Sequence, residues 1–585
     1  MNRRLPGLLE LLSYAGIALV AVLPAAFRSH WVVGDGVDLY GTFWFFWWVG
    51  QCISQGMDPS FTDLMFFPMG KDIFGHTGNN LLDALLAQPL VALLPYPDYQ
   101  PWWVCLLLLG NALSFRVLAR QVFSSRWVIW AVVVLWELNP FLLFECMTGR
   151  LTQALVWFLP LALAGFLRLG ESGRRHWGAA ILCGVCTALQ AWTYWFMGYF
   201  MALAMAWLAL LQLCGLARDR ARRAEVLRLL AGYGLAALVC LICIAPALLS
   251  MMGKASDGTV PGLARSDGVE MSLFRGPPPL ANNVSTNLHG YTLLEAGGQP
   301  MLGTWVWSVG LALFVLFGRE RLRWGGLVVV ALAFACGPVV PFGDEGRTVV
   351  MPHYMAAYWT LPFFSRLWFP YRLVVIAFVG ATLGIGTLLE RLERSPRLQK
   401  VPRWLIPVFL LGGHALEQNH HLAFPLLQRE LKPPDIYEHI SEKGGALIEL
   451  PVGLSRITVA WQPVHGLPTW GGMGENASLL WPDGFAARFD QPFMRFARRL
   501  TRDPWRPLDW RREYLDGLVE EGFRWLVLDR QLLDVDLRGR SRTRKLSDEA
   551  YDEAPFETVE VLRERVGEPY AVDGALVVWD LVDSD

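Results

Sequence analysis

Charged residues are scarce in this chain of 585 residues. Asp, Glu, Lys and Arg make up 18% of it, whereas a soluble protein of this length carries roughly a quarter. The formal net charge is −1, so the composition does not indicate a nucleic-acid partner. The chain also lacks an internal repeat and a low-complexity tract, which argues against solenoid and fibrous architectures.

Cysteine is confined to part of the chain, since none of the nine cysteines comes after residue 336. Two CxxC spacings occur, at Cys183/Cys186 and at Cys240/Cys243, but both lie inside apolar segments. This distribution argues against a disulfide framework and against a zinc site. It favours small buried thiols instead.

Apolar sequence, by contrast, is abundant. Hydrophobic residues make up 54% of the chain, mean hydropathy is +0.34, and 27 tryptophans fit the aromatic belts of a membrane protein. The apolar residues form blocks of about 17–22 residues, the length that crosses a bilayer. We predict eleven spans, at 9–27, 101–118, 127–143, 151–168, 177–193, 198–216, 229–249, 301–318, 324–341, 372–389 and 404–420.

Basic residues predict the orientation of these spans. Arginine is concentrated before the first span, and cations recur in every loop from an even-numbered span to the next odd-numbered one. The positive-inside rule therefore puts the N-terminus in the cytoplasm and residues after about 430 on the outer face of the plasma (inner) membrane. The first span is longer than the core of a signal peptide, so we predict that it is retained.

The predicted domain boundary lies near residue 425. Residues 1–425 are predicted to form a mainly α-helical membrane bundle with a long first outer loop, 28–100, in which the segments 39–55 and 80–95 form helices that do not span. Residues 430–585 are predicted to form a soluble α/β domain. Its strands are predicted at 446–450, 457–461, 523–528, 558–562 and 575–579, and its helices at 434–443, 485–500 and 511–521.

Two carboxylates follow the first span, in the string Gly34-Asp35-Gly36-Val37-Asp38. A carboxylate at a membrane surface can act as a general base on a hydroxyl, or hold a divalent cation against a phosphate. Asp35 lies between two glycines in a tight turn, so it is our first candidate for the catalytic residue. Asp38 is the second candidate, although it could equally cap the aromatic helix that follows.

Polar residues further along the chain are candidate substrate contacts. His76 and Asn79 follow a Pro-x-Gly turn and offer donors and acceptors for phosphate or sugar hydroxyls, although a loop histidine is more often structural. Arg150 and Gln153 lie in a short outer turn. An ionisable group at this depth suggests a functional site, and Arg150 could pair with a lipid phosphate or simply with Glu145.

Aromatic and cationic residues complete the candidate site. Tyr194 and Trp195 could stack on a sugar ring, or merely mark the membrane interface. Arg366 and Arg372 lie at the outer end of the tenth predicted span, against the positive-inside trend. They suit a phosphate or diphosphate donor, unless they only extend to lipid headgroups.

The layout and these strings resemble the GT-C superfamily of membrane glycosyltransferases. The segment GDGVDLYGTFWFFWWVGQ, the turn FFPMG and the run RLWFPYR resemble a bacterial subgroup of unassigned substrate. The layout covers residues 1–420, whereas the motifs cover about 60 residues. The spacing of the arginine motif departs slightly from that of the subgroup.

The resemblance implies a reaction and a role for several residues. It implies that a sugar passes from a polyprenyl-phosphate donor to a glycan or glycolipid at the cell surface. The catalytic carboxylate, which deprotonates the acceptor or binds a metal, would be Asp35, with Asp38 as the fallback. Arg366 and Arg372 would then hold the donor phosphate. A second acidic pair of the oligosaccharyltransferase type is missing, so we expect no cofactor, although a divalent metal stays possible.

Two other functions are compatible with the sequence. A lipid or polysaccharide transporter or polymerase would show charges in mid-span and symmetry between its halves, and this chain shows few such charges. A non-catalytic envelope scaffold with the same fold would not bring Asp35 and the arginines together. The identity of the sugar and of the acceptor does not follow from any of these features.

Overall fold

The computed structural model describes most of the chain. The described residues are 5–74, 81–171, 176–217, 223–256, 295–296, 299–300, 305–318, 320–337, 339–342, 347–361, 364, 367, 370–398, 400–421, 424–473, 481–506, 509–539 and 548–582. They divide into two compact units. The first consists of Met1–Gly36, Thr77–Ala255 and Pro261–Glu430, and the second of Val37–His76, Ser256–Val260 and Leu431–Asp585.

Helices dominate the chain before residue 425. They are α1 Leu5–Val22, α2 Val37–Gln55, α3 Leu81–Leu93, α4 Tyr99–Val122, α5 Arg126–Glu137, α6 Pro140–Met147, α7 Leu151–Ala154, α8 Phe158–Leu169, α9 Trp177–Thr193, α10 Trp195–Ala217, α11 Arg223–Ser256, α12 Trp305–Phe317, α13 Gly326–Ala335, α14 Pro352–Thr360, α15 Val374–Glu393 and α16 Leu405–His421. The strands are β1 Trp31–Val33, β2 Phe61–Thr62, β3 Lys71–Asp72, β4 Glu295–Ala296, β5 Gln299–Pro300, β6 Val339–Phe342, β7 Arg347–Val350 and β8 Gln428–Glu430.

Helical structure lies within each of the eleven predicted spans. Six helical segments of the described chain are long and apolar enough to cross a membrane: Tyr99–Val122, Arg126–Met147, Leu151–Leu169, Trp195–Leu216, Ala224–Ser250 and Pro370–Glu393. The count of eleven spans therefore stays a prediction. The segments 39–55 and 80–95 are helical as predicted, in α2 and α3.

Helix α15 forms the interior of the first unit. Every residue from Val374 to Gly386 is buried, because the helix is apolar on all faces and packs against α5, α12 and α13. A 3₁₀ turn, Pro370–Leu373, precedes α15 and is itself buried. This turn carries Arg372 into the interior of the unit.

Two of the predicted spans are each split into two helices. The segment 127–143 becomes α5 and α6, because the Asn139 side chain accepts a hydrogen bond from the Leu142 backbone amide and Pro140 occupies the first turn of α6. The segment 151–168 becomes α7 and α8. The turn between α6 and α7 carries Arg150, and Glu145 lies in the last turn of α6.

A short antiparallel pair, β1 with β8, brings distant parts of the first unit together. Its register pairs Val32 with Arg429 and Val33 with Gln428. The Gln100 side chain bonds both the amide and the carbonyl of Val33, at 2.9 Å each, and so attaches β1 to α4. The chain after the first helix is therefore held in place where it enters the Gly34–Gly36 turn.

The second unit contains a four-stranded mixed sheet flanked by helices. Its strands are β9 Ala446–Leu450, β10 Phe523–Asp529, β11 Ala571–Asp573 and β12 Leu576–Asp580, in the order β11-β12-β10-β9, with only β9 and β10 parallel. Its later helices are α17 Ile436–Lys443, α18 Ser455–Thr458, α19 Gln462–His465, α20 Phe485–Phe489, α21 Pro492–Leu500, α22 Glu513–Glu520, α23 Arg530–Gly539 and α24 Asp548–Val566.

Two predicted strands of this unit are wrong. Residues 457–461 are helical, since a short apolar run does not distinguish a buried helix from a strand. Residues 558–562 lie in α24, where Val559, Leu562 and Val566 are buried at helical spacing. The strands predicted at 446–450, 523–528 and 575–579 match β9, β10 and β12.

Helix α2 belongs to the second unit, although it precedes most of the bundle in sequence. More than half of its residues are buried, and Trp44 donates a hydrogen bond to the Gln462 side chain at 2.6 Å. The predicted division assigned this helix to the bundle. Compact units do not by themselves define domains, so the boundaries 1–425 and 430–585 stay a prediction.

Candidate active site

Two glycines fix the backbone of the turn around Asp35. Gly34 and Gly36 both have positive φ, at +91° and +152°, and a Cβ on either would collide with the carbonyl oxygens of Cys146 or Thr148. The Asp35 amide donates a hydrogen bond to the Met147 carbonyl at 2.7 Å. The turn therefore packs closely on the end of α6, and only glycine permits this approach.

The Asp35 carboxylate itself is accessible. Its side chain is 59% exposed, and its Oδ1 atom lies 3.0 Å from the Arg429 guanidinium. Arg429 reaches it because β8 pairs with β1 in register, directly before the turn. An exposed ion pair contributes little to stability, but it restricts the rotamers of the carboxylate.

Asp38 is the second residue of α2, in its first turn. Among the described residues no partner bonds its side chain, and the residue is exposed. A carboxylate in this position interacts favourably with the helix dipole. Asp38 therefore does not occupy the capping position, because α2 begins one residue earlier, and its catalytic role stays a prediction.

A buried carboxylate links the candidate arginines of the first unit. The Glu145 side chain is fully buried and forms an ion pair with Arg150, whose Nε contacts Oε2. Its other oxygen accepts a hydrogen bond from the Tyr371 hydroxyl at 2.9 Å and lies 3.6 Å from Nε of Arg372. Two guanidiniums thus share one carboxylate, which leaves one surplus positive charge in the group.

Tyr194 extends this cluster, which we call the Glu145 cluster and define as Glu145, Arg150, Tyr194, Tyr371 and Arg372. The Arg372 guanidinium lies 5.0 Å from the centre of the Tyr194 ring, at cation–π distance. Burial raises the pKa of Tyr194, although the Arg372 charge opposes this, so the phenol stays a hydrogen-bond donor at neutral pH. The sequence-based candidates Arg150, Tyr194 and Arg372 therefore come together.

Other candidates lie outside this cluster. Gln153 is one turn beyond Arg150, and its backbone amide donates a hydrogen bond to the Arg150 carbonyl at 3.1 Å. Trp195 packs edge-on against Tyr199, with ring centres 6.2 Å apart. His76, Asn79 and Arg366 lie outside the described residues.

Sequence reasoning missed three members of this arrangement as site residues. Tyr371 and Arg429 were not singled out, and Glu145 was considered only as a partner for Arg150. Tyr371 lies within the run RLWFPYR, directly before the candidate Arg372, and this position in the sequence could have identified it. Arg429 is almost 400 residues from Asp35 in sequence, and no local pattern points to the contact.

The geometry does not favour a divalent cation at Asp35. Its carboxylate is paired with a guanidinium, and no group of three or more His, Cys, Asp or Glu suited to a metal occurs in the part of the chain that the structure describes. We derive no catalytic step through a metal. The expectation of metal-independent chemistry stays a prediction.

Asp83 supports the turn that carries Arg150. Thr152 Oγ1, two residues after Arg150, donates a hydrogen bond to Asp83 Oδ2 at 2.6 Å. Asp83 is fully buried, and its Oδ1 has no hydrogen-bond partner in the described structure. Burial raises the pKa of Asp83 to about 7, although the hydrogen bond from Thr152 opposes the shift, so the folded protein favours the protonated acid only below about pH 7.

Asp83→Asn is therefore expected to change how stability depends on pH. The folded carboxyl holds its proton more tightly than the unfolded one, so its stabilising contribution is complete below about pH 4 and lost as the pH rises to about 7. We expect the variant to gain stability over the wild-type protein as the pH rises through this window. The full effect is of order 4 kcal/mol.

Thermal unfolding in detergent across this pH range measures the effect as a difference in Tm between variant and wild type. Asp63→Asn, at an exposed position, is the matched control and should give a constant difference. If the difference in Tm between Asp83→Asn and the wild type did not vary with pH, the Asp83 carboxyl would not titrate between about pH 4 and pH 7.

Comparisons with known proteins show which solved structures share the fold of this chain. No protein-family model matches this chain, and no curated protein matches it in sequence. Solved structures do match. An oligosaccharyltransferase from Archaeoglobus fulgidus, tethered with an acceptor peptide containing the NVT sequon, aligns with a TM-score of 0.51 at 12% identity, over 90% of this chain and 71% of that chain.

The arabinofuranosyltransferase AftD from Mycobacteria aligns with a TM-score of 0.54 at 15% identity, over 91% of this chain but only 37% of its own. ArnT from Cupriavidus metallidurans aligns over 99% of this chain, but its TM-score of 0.38 is too low to support an argument. At these identities the likeness concerns the fold alone. This chain therefore shares a fold with the oligosaccharyltransferase and the arabinofuranosyltransferase, as its resemblance to the GT-C superfamily predicts.

Proposed function

We propose that this protein is a membrane glycosyltransferase that moves a sugar from a polyprenyl-phosphate donor to a glycan or glycolipid acceptor on the outer face of the membrane. The observation that carries the proposal is one contact. The turn that holds Asp35 packs on the end of α6, and that helix and the turn after it supply Glu145 and Arg150 of the Glu145 cluster. A candidate base and a group of cations thus adjoin each other.

The reaction is a single displacement at the anomeric carbon. The Asp35 carboxylate takes the proton of an acceptor hydroxyl, and the acceptor oxygen forms a bond to that carbon. The bond between the carbon and the phosphate oxygen of the donor breaks, and the oxygen leaves with the electron pair. The configuration of the sugar inverts, and the products are the glycosylated acceptor and polyprenyl phosphate.

The surplus charge of the Glu145 cluster supports its role as the phosphate site. Arg150 and Arg372 together carry two positive charges and Glu145 carries one negative charge, so the site would have a net positive charge that stabilises the leaving phosphate. Guanidinium groups suit this task because they stay charged and bond phosphate oxygens in pairs. Glu145 and Tyr371 would hold the two guanidiniums in place before the donor arrives.

Asp35 is accessible enough to serve as the base. Its backbone amide donates a hydrogen bond to the Met147 carbonyl, and its side chain is held by the ion pair with Arg429. The carboxylate therefore needs little reorganisation to meet an acceptor. Tyr194, Trp195 and Gln153, with His76, Asn79 and Arg366, remain candidates for contact with the sugar and the phosphate. The transferred sugar is a hexose or a pentose.

The topology that we propose follows the distribution of basic residues. The N-terminus is cytoplasmic, eleven spans cross the plasma (inner) membrane, and residues 430–585 form an outer α/β domain. In this arrangement Asp35 follows the first span on the outer side, where lipid-linked donors and surface acceptors meet.

Arg372→Gln provides the test of the donor site. We expect the variant to bind a polyprenyl-phosphate sugar about 10–100-fold more weakly, because one charge-assisted contact to a phosphate contributes about 1.5–3 kcal/mol. Binding and transfer should be measured on purified protein with a panel of hexosyl and pentosyl donors. Arg372→Lys keeps the charge and should recover part of the affinity.

Arg397→Gln is the matched control, because Arg397 is an exposed arginine in a loop that we predict to be cytoplasmic. Its donor affinity should equal that of the wild type. Unchanged donor binding in a folded Arg372→Gln protein would exclude the proposed phosphate site. If the unmodified protein transferred no sugar from any donor in the panel, transport or a scaffold role would become the better explanation.

A further inference from the structure

The second unit contains a dense group of arginines that the proposed chemistry does not use. Residues 488–512 include eight arginines and only three aspartates, although the whole chain has a net charge of −1. The arginines are Arg488, Arg495, Arg498, Arg499, Arg502, Arg506, Arg511 and Arg512. Arg488 pairs with Glu521 and Arg512 with Asp516. The six other arginines still outnumber the three aspartates, and such a local excess of one sign attracts anions.

Helix α21 presents two of these arginines side by side. Arg495 and Arg499 are exposed and four residues apart, so they lie on the same face of the helix one turn from each other. Like charges at this spacing repel each other and destabilise the helix. Within the described residues neither side chain forms an ion pair that would offset this cost.

The opposite face of α21 is already occupied. Phe493, Met494, Ala497 and Leu500 are almost completely buried. A helix that binds a membrane surface inserts its apolar face into the lipid, and α21 has no such face available. The exposed side offers charge only, which suits a ligand in solution better than a bilayer.

A cavity of about 110 Å³ lies beside the two arginines. Its lining combines three kinds of group: the guanidiniums of Arg495 and Arg499, the carboxylate of Asp509, and the rings of Phe496 and Tyr514. The Tyr514 hydroxyl donates a hydrogen bond to Asp509 at 2.9 Å, which raises the pKa of Tyr514 and keeps the phenol protonated. Trp510 packs on Phe496 with ring centres 4.7 Å apart and supports this wall.

We propose that this cavity, the Arg495–Arg499 pocket, binds an acidic saccharide. Its two guanidiniums would hold a carboxylate or phosphate group on the sugar, and Asp509 would accept hydrogen bonds from sugar hydroxyls. A simple anion would be repelled by the Asp509 carboxylate. A sugar that carries both hydroxyls and an acidic group can donate hydrogen bonds to Asp509 and bind the two guanidiniums. The proposal does not depend on the transferase activity.

A binding measurement on the full-length protein in detergent tests the proposal. The probes are hexagalacturonate, which carries carboxylates, and a phosphorylated mannose pentasaccharide, with maltohexaose as a neutral reference. We expect at least one acidic probe to bind, the neutral one not to bind, and the affinity to fall as ionic strength rises. The double variant Arg495→Gln/Arg499→Gln should bind about tenfold more weakly or worse.

The control is Arg538→Gln/Arg565→Gln, which removes the same charge from α23 and α24 of the same unit. It should bind the acidic probe as the wild type does, so that the pocket rather than net charge explains the loss. Equal affinity of the pocket variant and the wild type overturns the proposal, as does the absence of binding to both acidic probes. Binding of phosphatidylglycerol vesicles that is lost in the pocket variant, without binding of either saccharide, would show a lipid surface instead.

Discussion

Replacing Asp35 by asparagine is expected to slow sugar transfer about 10²–10⁴-fold, because the amide cannot accept the proton of the acceptor hydroxyl. Donor binding should stay close to that of the wild type, since the donor phosphate is assigned to the arginines of the Glu145 cluster. Asparagine is nearly the same size as aspartate, and the hydrogen bond from the backbone amide of residue 35 to the Met147 carbonyl does not involve the side chain. The fold around the turn should therefore persist.

Single-turnover transfer from a labelled donor, with donor binding measured in parallel, separates the two effects. Asp38→Asn is the informative comparison, because it removes a nearby carboxylate that lies in the first turn of α2. We expect it to alter transfer much less than Asp35→Asn does. The opposite ranking would move the catalytic role to Asp38, and full activity in both variants would remove both carboxylates from the mechanism.

Replacing Glu145 by glutamine is expected to cost about 3–5 kcal/mol of stability. Glu145 is the shared partner of Arg150 and Arg372, and all three side chains are buried or nearly so. Without its charge, two guanidiniums remain close together in a site with little access to water. The free energy of unfolding should fall accordingly, and part of the protein should fail to fold.

Tyr371→Phe is the graded control for this experiment. It removes the hydrogen bond that the hydroxyl donates to Glu145 and the one that it accepts from Arg150, but it keeps every charge, so a loss of about 1–2 kcal/mol is expected. The double variant Glu145→Gln/Arg150→Gln removes one charge of each sign and should recover part of the stability. Thermal unfolding of the four proteins in the same detergent gives the comparison. Equal stability of Glu145→Gln and the wild type would mean that the Glu145 cluster is not held by this carboxylate.

The same variant also bears on the proposed function. If the Glu145 cluster binds the donor phosphate, then a phosphate should compensate for the missing carboxylate. A polyprenyl-phosphate donor should then raise the Tm of Glu145→Gln more than it raises the Tm of the wild type.

Local patterns predicted the elements that depend on neighbouring residues. The apolar blocks located the helices, and the aromatic run after Asp38 predicted a helix close to the observed α2. The pattern at 558–562 misled because three of these five residues, Thr558, Val559 and Val561, have β-branched side chains. They look like a strand when they are read without the longer helical period of α24. The break between α5 and α6 was also missed, although Asn139-Pro140 is a recognisable helix start.

The sequence by itself indicated a helical membrane protein and most of the residues of the candidate site. Its apolar blocks indicate a membrane protein, its glycines indicate a tight turn at Asp35, and its arginines are the candidate contacts for a phosphate. These properties depend on single residues or on neighbours along the chain, so they can be derived without coordinates.

Only the tertiary structure decided which side chains meet. Arg429 reaches Asp35 through the pairing of β1 with β8, and Glu145 joins Arg150 to Arg372 because α6 ends beside the turn that precedes α15. Helix α2 packs with residues more than 400 positions later in the chain. Contacts of this kind depend on how helices and strands are arranged in space, and no local pattern of residues along the chain reveals that arrangement.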